Sequence, residues 1–292
     1  MTKASVIPPT AATQARLSLD ARTVMAMAQD PDQGVAPAIL RYPIHGGEPE
    51  VVITPGAHHD FVELAGGGYA TLVADVRTVD GYAVQGDALV EFEPDGSSRT
   101  VWTVWDHERP LGIESMGELV SGARDWSHFN SLSLADGAYW LSSYGLGAIY
   151  RVDADSGELL AKIGGGNADY HGADDGAFGP QHAPIATAAG VLLFKNGALG
   201  STDAYSEAVE YRLDDEAHAY ARAWSYDADQ TIHALMLGNV DPVPGGGHLV
   251  AWGSAGRATL LDEEHRPIWE AAHPLGSTFA YAHAADELSA IP

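Results

Sequence analysis

Apolar and polar residues alternate through much of the stretch Asp125–Tyr144. The alternation over His128–Leu134 predicts a strand with one buried face, an Ala-Asp-Gly turn follows, and Tyr139–Ser143 predicts the return strand. Folding the two strands about the turn sets Tyr144 opposite His128. The stretch therefore predicts a β-hairpin with a histidine at the start of its first strand.

The same order of short strands repeats along the chain. Two more strands follow the hairpin, in Ala148–Gly157 and Glu158–Ile163, which completes a unit of four. Similar units begin near His59, His182 and His233. A repeat of four strands about every 50 residues is typical of a β-propeller, in which each unit is one blade.

The two ends of the chain predict one further unit. Ala280–Leu288 resembles a first strand, and Thr23–Ala28, Ala38–Pro43 and Glu48–Ile53 supply the other three. Strands from both termini would then close the ring and leave no exposed sheet edge.

We therefore predict an all-β fold, a single β-propeller of about five four-stranded blades over residues 20–292. Residues 1–19 are predicted to be an N-terminal extension. If its Pro-rich segment contributed strands, the propeller would have six blades.

Charge restricts the partners. The 292 residues include 40 acidic and 15 basic side chains, a formal net charge of −25, and no cysteine. Such a field repels nucleic acid and anionic membranes, which leaves a small aromatic or anionic molecule as the expected partner. No segment reaches the roughly 18 apolar residues of a membrane span, and no secretory signal is visible at the start. The sequence as it stands predicts a cytoplasmic protein, or an exported one if the natural chain begins earlier, and it does not indicate the oligomeric state.

Histidines stand at the heads of the five predicted first strands, 69, 54, 51 and 50 residues apart: His59, His128, His182, His233 and His283. First strands line the central channel of a propeller, so we expect these imidazoles to converge. Neutral imidazoles can act as nucleophiles and as general acids and bases. Three or four of them around one point also suit zinc, iron, manganese or copper, and spacing does not choose between the two chemistries.

Several short motifs follow one another in a recognisable order: His58-His59-Asp60, Asp125-Trp-Ser-His128-Phe-Asn130, Leu141-Ser-Ser143, Phe178-Gly-Pro-Gln181-His182 and Phe194-Lys-Asn-Gly197. This order resembles the bacterial arylsulfotransferases, which move sulfate from one phenol to another without a nucleotide donor. The resemblance implies a propeller, usually of six blades and often exported, in which a channel histidine is transiently sulfated and no cofactor is needed.

The resemblance also implies roles for individual residues. His182 would be the nucleophile, while His59 and His128 would bind the sulfuryl oxygens and exchange protons with the two phenols. Asn130 would belong to the same rim. Besides the residues that the resemblance assigns, Asp60 and His233 are candidates for binding the substrate.

The chain departs from the family pattern at the cation that grips sulfate. The family has arginine after Ser-Ser, where this chain has Tyr144. Folding the hairpin between His182 and Lys195 sets these two residues opposite each other, so we expect Lys195 to take over part of the arginine's role, although without its bidentate fork.

Two other classes of function stay open at this stage. The five histidines could bind a divalent transition metal in a lyase, hydrolase or oxygenase, with Tyr144 as an acid or base and Asp60 orienting a ligating imidazole. The chain could also be a non-catalytic propeller that binds a small ligand.

Overall fold

The computed structural model describes residues 12–30, 35–112, 118–120, 122–172, 179–197, 205–273 and 278–284. Within these ranges the chain forms strands, turns and three single-turn 3-10 helices, and it forms no α-helix. None of these helices has the length or the apolar character to cross a membrane.

The strands form five sheets, each built from consecutive segments of the chain. The first sheet contains four strands: β1 (Ala12–Leu17), β2 (Thr23–Asp30), β3 (Val35–Pro43) and β4 (Glu50–Ile53). The second contains six: β5 (Ala57–Glu63), β6 (Tyr69–Val79), β7 (Tyr82–Phe92), β8 (Ser98–Thr103), β9 (Glu118–Val120) and β10 (Ala123–Asp125).

The remaining sheets follow in chain order. The third contains β11 (Phe129–Ala135), β12 (Ala138–Ser143), β13 (Ala148–Asp153) and β14 (Leu159–Gly164). The fourth contains β15 (His171–Gly172), β16 (Gln181–Ala186), β17 (Gly190–Lys195), β18 (Glu207–Asp214) and β19 (Ala219–Tyr226). The fifth contains β20 (Asn239–Pro242), β21 (His248–Ala251), β22 (Arg257–Leu261) and β23 (Pro267–Ala272).

Apolar cores lie between neighbouring sheets. Trp102 of the second sheet packs on Phe129 and Tyr150 of the third, with ring centroids 5.6 Å and 5.4 Å away. Phe194 of the fourth sheet packs on Trp252 beside the fifth at 5.8 Å. The third sheet is covered by a neighbouring sheet on each face. Its middle strand β12 is therefore buried along its whole length. Five radially packed sheets confirm the predicted all-β, five-bladed propeller.

The predicted closure of the ring is wrong in one respect. The strand that completes the first sheet is β1, whose residues 12–17 lie within the segment 1–19 predicted as an extension. The segment 278–284 instead runs beside β20, where Ala280 O accepts the Gly238 amide at 2.9 Å. The Asn239 side chain bonds both the amide and the carbonyl of Ala282, at 2.9 and 2.7 Å. The rest of the predicted strand, residues 285–288, lies outside the described residues.

Candidate functional site

The first strands of the second, third and fourth blades are irregular near their starts. Register shifts fall between His58 and Phe61 in β5, between Phe129 and Ser131 in β11, and beyond His182 in β16. His59 and His128 adopt left-handed backbone conformations, with φ of 60° and 42°. Such conformations cost on the order of 1 kcal/mol for residues other than glycine, and they concentrate at functional sites.

These irregular segments bring four aromatic rings into a row. The ring centroids of His59 and His128 are 5.0 Å apart. Tyr144 lies 5.7 Å from His128 and 6.1 Å from His182. The predicted pairing across the hairpin is confirmed, because the Tyr144 amide donates to the His128 carbonyl at 2.9 Å.

A buried carboxylate supports His59 through a second histidine. Asp87 of β7 is 1% exposed, and its Oδ1 lies 3.0 Å from His58 Nε2. His58 Nδ1 then lies 2.8 Å from His59 Nδ1. Burial opposes ionisation of Asp87, but contacts with His58, Ser127 and the Phe129 amide outweigh it and hold the pKa of Asp87 below its ordinary value. Burial and the neighbouring histidines lower the pKa of His59 well below 6.5, so His59 is neutral at neutral pH.

The pKa of His128 is shifted in the opposite direction. The parallel pairing of β10 with β7 sets Asp125 opposite Gln85. Asp125 Oδ2 lies 2.7 Å from His128 Nδ1, and Asp125 Oδ1 accepts the His128 amide at 3.0 Å. Burial alone would lower the pKa of His128, but Asp125, aided by Asp87, raises it above 6.5. The site therefore places an imidazole that resists protonation beside one whose protonation is favoured.

His182 is held differently from both. It is 4% exposed, and its Nδ1 lies 2.6 Å from Asn196 Oδ1. Its Nε2 accepts the Leu237 amide at 3.2 Å. Burial lowers the pKa of His182 to about 4. Both ring nitrogens are thus engaged, with the proton on Nδ1.

The side chains of Lys195, Asn130 and Asp60 are engaged within the protein. Lys195 stands opposite Gln181, one residue away from the predicted pairing with His182, and its Nζ lies 3.0 Å from Glu207. Asn130 is fully buried, and its amide bonds the Gln181 carbonyl at 2.7 Å.

Asp60 does not orient an imidazole, which corrects that expectation. Its carboxylate accepts hydrogen bonds from the Arg16 guanidinium at 3.0 Å and from the Leu132 amide at 2.9 Å. Because Arg16, Asp60 and Leu132 belong to the first, second and third blades, these bonds connect the three blades.

The predicted ring of five histidines is not assembled. His233 is an exposed residue of a loop, and the first strand of the fifth blade begins later, at Asn239. His283 lies beside β20, with Nδ1 3.4 Å from Asp241. Among the residues that the structure describes, no three histidine, aspartate or glutamate side chains are grouped to hold a metal ion. The five-histidine ligand set is therefore not formed.

Sequence reasoning missed the polar partners of the imidazoles. Asp125 precedes His128 by three residues, and this spacing was a visible local signal. Asn196 stands in the Phe194-Lys-Asn-Gly197 motif, but only the pairing of β16 with β17 shows that it meets His182. Asp87 reaches His58 through the pairing of β7 with β6, so its position in the sequence carries no such signal.

Several solved β-propellers have a fold similar to that of this chain. Solved propellers of similar fold include the luciferin-regenerating enzyme (12% identity, 91% of this chain and 77% of that chain, TM-score 0.54). A putative 6-phosphogluconolactonase from Bacteroides uniformis has 14% identity, covers 92% of this chain and 87% of its own, and has a TM-score of 0.51. The β-propeller domain of Cps50 (Swd1) from Myceliophteria thermophila has 8% identity, 94% and 89% coverage, and a TM-score of 0.52. At these identities the likeness concerns the fold alone.

Sequence comparison is more specific. No curated protein matches the chain. The family model described as Arylsulfotransferase (ASST) matches residues 49–273, which is most of the sequence and includes every imidazole of the site. The chain therefore belongs to the arylsulfotransferase family.

Proposed function

We propose that this protein transfers a sulfuryl group between small phenols, with His59 as the nucleophile and His128 as the general acid and base. The observation that carries the proposal is the pair of adjacent imidazoles, 5.0 Å apart between ring centroids, whose pKa values are shifted in opposite directions. A nucleophile must be unprotonated and an acid protonated at the same pH, and these two shifts favour that combination.

The first half of the reaction uses both histidines. The lone pair of His59 Nε2 attacks the sulfur of an aryl sulfate, and the bond from sulfur to the phenolic oxygen breaks. The leaving oxygen takes the bond's electron pair and the proton of His128 Nε2. The imidazolium also attracts the sulfuryl oxygens, a role that the family gives to an arginine at the position of Tyr144.

The second half reverses these steps. An acceptor phenol gives its proton to the now neutral His128, its oxygen attacks the sulfur, and the nitrogen–sulfur bond breaks. His59 regains its lone pair, and the product is a new aryl sulfate. No cofactor enters this scheme.

His59 is preferred to His182 because of hydrogen bonding. His182 would have to release the Leu237 amide before its Nε2 could attack. The described residues offer His59 Nε2 no hydrogen-bond partner. The resemblance assigns the nucleophile to His182, and the experiment below separates the two assignments.

The test mixes the full chain with 4-nitrophenyl sulfate, quenches rapidly, and locates any sulfated peptide by mass spectrometry, followed by steady-state transfer to 1-naphthol. We expect sulfation at His59 and losses of about 10³-fold or more in His59→Gln and about 10²-fold or more in His128→Gln. His45→Gln changes an exposed histidine outside the site and should retain full activity.

Two results would overturn parts of the proposal. Sulfation at His182 would give that residue the nucleophilic role that the resemblance implies. Absence of both the adduct and the transfer, in protein that is folded by circular dichroism, would remove the sulfotransferase function.

A further inference from the structure

We propose that His58 and Asp87 are positioning residues that fix the tautomer of His59 and accept its Nδ1 proton when Nε2 is sulfated. The inference rests on the proposed function for its catalytic part. Its structural part, the tautomer, stands independently of any activity.

One carboxylate oxygen of Asp87 accepts two hydrogen bonds. Its Oδ2 accepts the Ser127 hydroxyl and the Phe129 amide, the latter at 3.0 Å. An ionised carboxylate can only accept hydrogen bonds. His58 Nε2 faces Oδ1 at 3.0 Å. The two atoms are not aligned as a hydrogen bond, but a bare nitrogen lone pair this close to a carboxylate oxygen would be repelled, so Nε2 carries a hydrogen.

The second step concerns the two Nδ1 atoms. They lie 2.8 Å apart, so one nitrogen must donate a hydrogen and the other must accept it. When His58 is neutral, its hydrogen is already on Nε2, so the shared hydrogen belongs to His59 Nδ1. The lone pair of His59 then lies on Nε2, the nitrogen that attacks in the proposed reaction.

Sulfuryl transfer places a positive charge on the His59 ring. When His59 Nε2 bonds to sulfur, the ring becomes cationic and its Nδ1 proton becomes strongly acidic. Passing this proton to His58 Nδ1 leaves a neutral sulfated imidazole on His59 and an imidazolium on His58. The new imidazolium faces Asp87, so the positive charge moves next to a buried negative one. When sulfate leaves, the proton returns to His59 and no net proton is consumed.

The same carboxylate also supports the acid. The Ser127 hydroxyl and the Phe129 amide, which Asp87 holds, flank His128 on both sides in sequence. Asp87 thereby fixes the distance between nucleophile and acid across the joint between two blades. A substitution at Asp87 would disturb this joint as well as the relay, so His58 is the better residue to test.

The experiment uses the full chain labelled with 15N at histidine. Two-bond proton–nitrogen correlation spectra at neutral pH report which nitrogen of His59 carries the hydrogen. We expect hydrogen on Nδ1 in the wild type and a mixture of both tautomers in His58→Leu. His58→Gln can still donate to Asp87 and accept from His59, so we expect it to keep the Nδ1–H tautomer, but its amide cannot take up a proton.

The kinetic comparison uses the same variants. We expect kcat for sulfuryl transfer to fall about 10²-fold in His58→Leu and about 10-fold in His58→Gln, with KM nearly unchanged. His45→Gln should match the wild type, and circular dichroism of each variant checks the fold.

The outcomes separate the two proposals. Hydrogen on His59 Nε2 in the wild type, or an unchanged tautomer and rate in His58→Leu, would overturn the relay. If the wild type shows the Nδ1–H tautomer and His58→Leu loses it, but no sulfuryl transfer occurs, the positioning by His58 stands and the proposed function falls.

Discussion

His128 and His182 present the same ring atom to different partners. His128 Nδ1 lies 2.7 Å from the carboxylate of Asp125, and His182 Nδ1 lies 2.6 Å from the amide oxygen of Asn196. The geometry is nearly the same, yet the pKa of His128 is raised and that of His182 is lowered to about 4. A carboxylate stabilises the imidazolium through charge, whereas an amide cannot offset the cost of burial.

The second ring nitrogen extends the contrast. Leu237 donates its amide to His182 Nε2, while the described residues provide no partner for His128 Nε2. Among the described residues, one imidazole thus has a raised pKa and an unbonded Nε2, and the other is neutral with both nitrogens bonded. The hydrogen-bond partner of each imidazole, more than its place in the repeat, therefore decides whether it can exchange protons with a substrate.

The largest expected effect comes from removing the charge that distinguishes the two regions. Asp125→Asn should lower sulfuryl transfer by about 10²–10³-fold at neutral pH, because His128 would be protonated less and its ring would lose the carboxylate that orients it. The acid must be protonated, so the rate falls as the pH rises through the pKa of His128. Asp125 raises that pKa, so the variant's rate should begin to fall at a lower pH than that of the wild type.

The measurement is a profile of kcat/KM for 4-nitrophenyl sulfate against pH. Arg77→Ala offers a control, because it removes an exposed charge that pairs with Asp75 away from the imidazoles. An identical profile in Asp125→Asn and the wild type would show that His128 is not the acid.

The next effect concerns stability in acid. His182 has a pKa of about 4 in the folded protein, whereas an unfolded histidine titrates near 6.5. As the pH falls below 6.5, His182 becomes protonated in the unfolded chain but stays neutral in the folded chain. This difference lowers the free energy of unfolding. The loss should reach about 2–3 kcal/mol at pH 4.5 relative to pH 7.

Urea unfolding of the wild type and of His182→Gln at both pH values measures this contribution. His59 also has a lowered pKa, but it is present in both proteins and cancels. The free energy of unfolding should depend less on pH in the variant. Equal pH dependence in the two proteins would mean that His182 is not held neutral.

A single substitution should give His182 the kind of partner that His128 has. Asn196→Asp should raise the pKa of His182 by about 1–3 units, since it supplies the carboxylate that His128 already has. The new residue cannot donate to the carbonyls of Ala234 and Leu237 as Asn196 does, so stability should fall by about 2–3 kcal/mol. An NMR titration of the His182 ring measures the pKa, and a value that remains near 4 would contradict the electrostatic explanation of the contrast.

The sequence was sufficient for the fold because each blade repeats the same alternation and its turns. It also placed Tyr144 beside His128, because the short Ala-Asp-Gly turn fixes that pairing. The fifth blade was harder. Its first strand is only Asn239–Pro242, which has little apolar character, so the strand was expected around His233.

The site was only partly predictable, for two physical reasons. The register shift in β16 lies between His182 and Ile185 and moves the pairings of Gln181 and His182 by one position, and a one-residue slip reverses the face that a side chain occupies. The pKa values depend on Asp87 in β7 and on Asn196, the residue after β17, and both are distant in sequence from the histidines they affect. The sequence could therefore identify His59, His128 and His182 as candidates but could not tell the direction in which each pKa is shifted.

The smallest expected effect tests whether Lys195 replaces the family's arginine. Lys195 faces Gln181 across the hairpin, and its Nζ is paired with Glu207, which also binds Arg222 at 2.6 Å. Because Arg222 would still neutralise Glu207, Lys195→Ala should cost less than about 1 kcal/mol of stability and change transfer by less than about threefold. The imidazolium of His128 would then be the positive charge nearest the sulfuryl group. A loss of about tenfold or more in kcat/KM for the sulfate donor, with unchanged stability, would instead mean that Lys195 leaves Glu207 to bind sulfate. In that case the blade that holds His182 would also contribute to catalysis. The two regions would then differ in which side chain supplies the positive charge, His128 in one and Lys195 in the other.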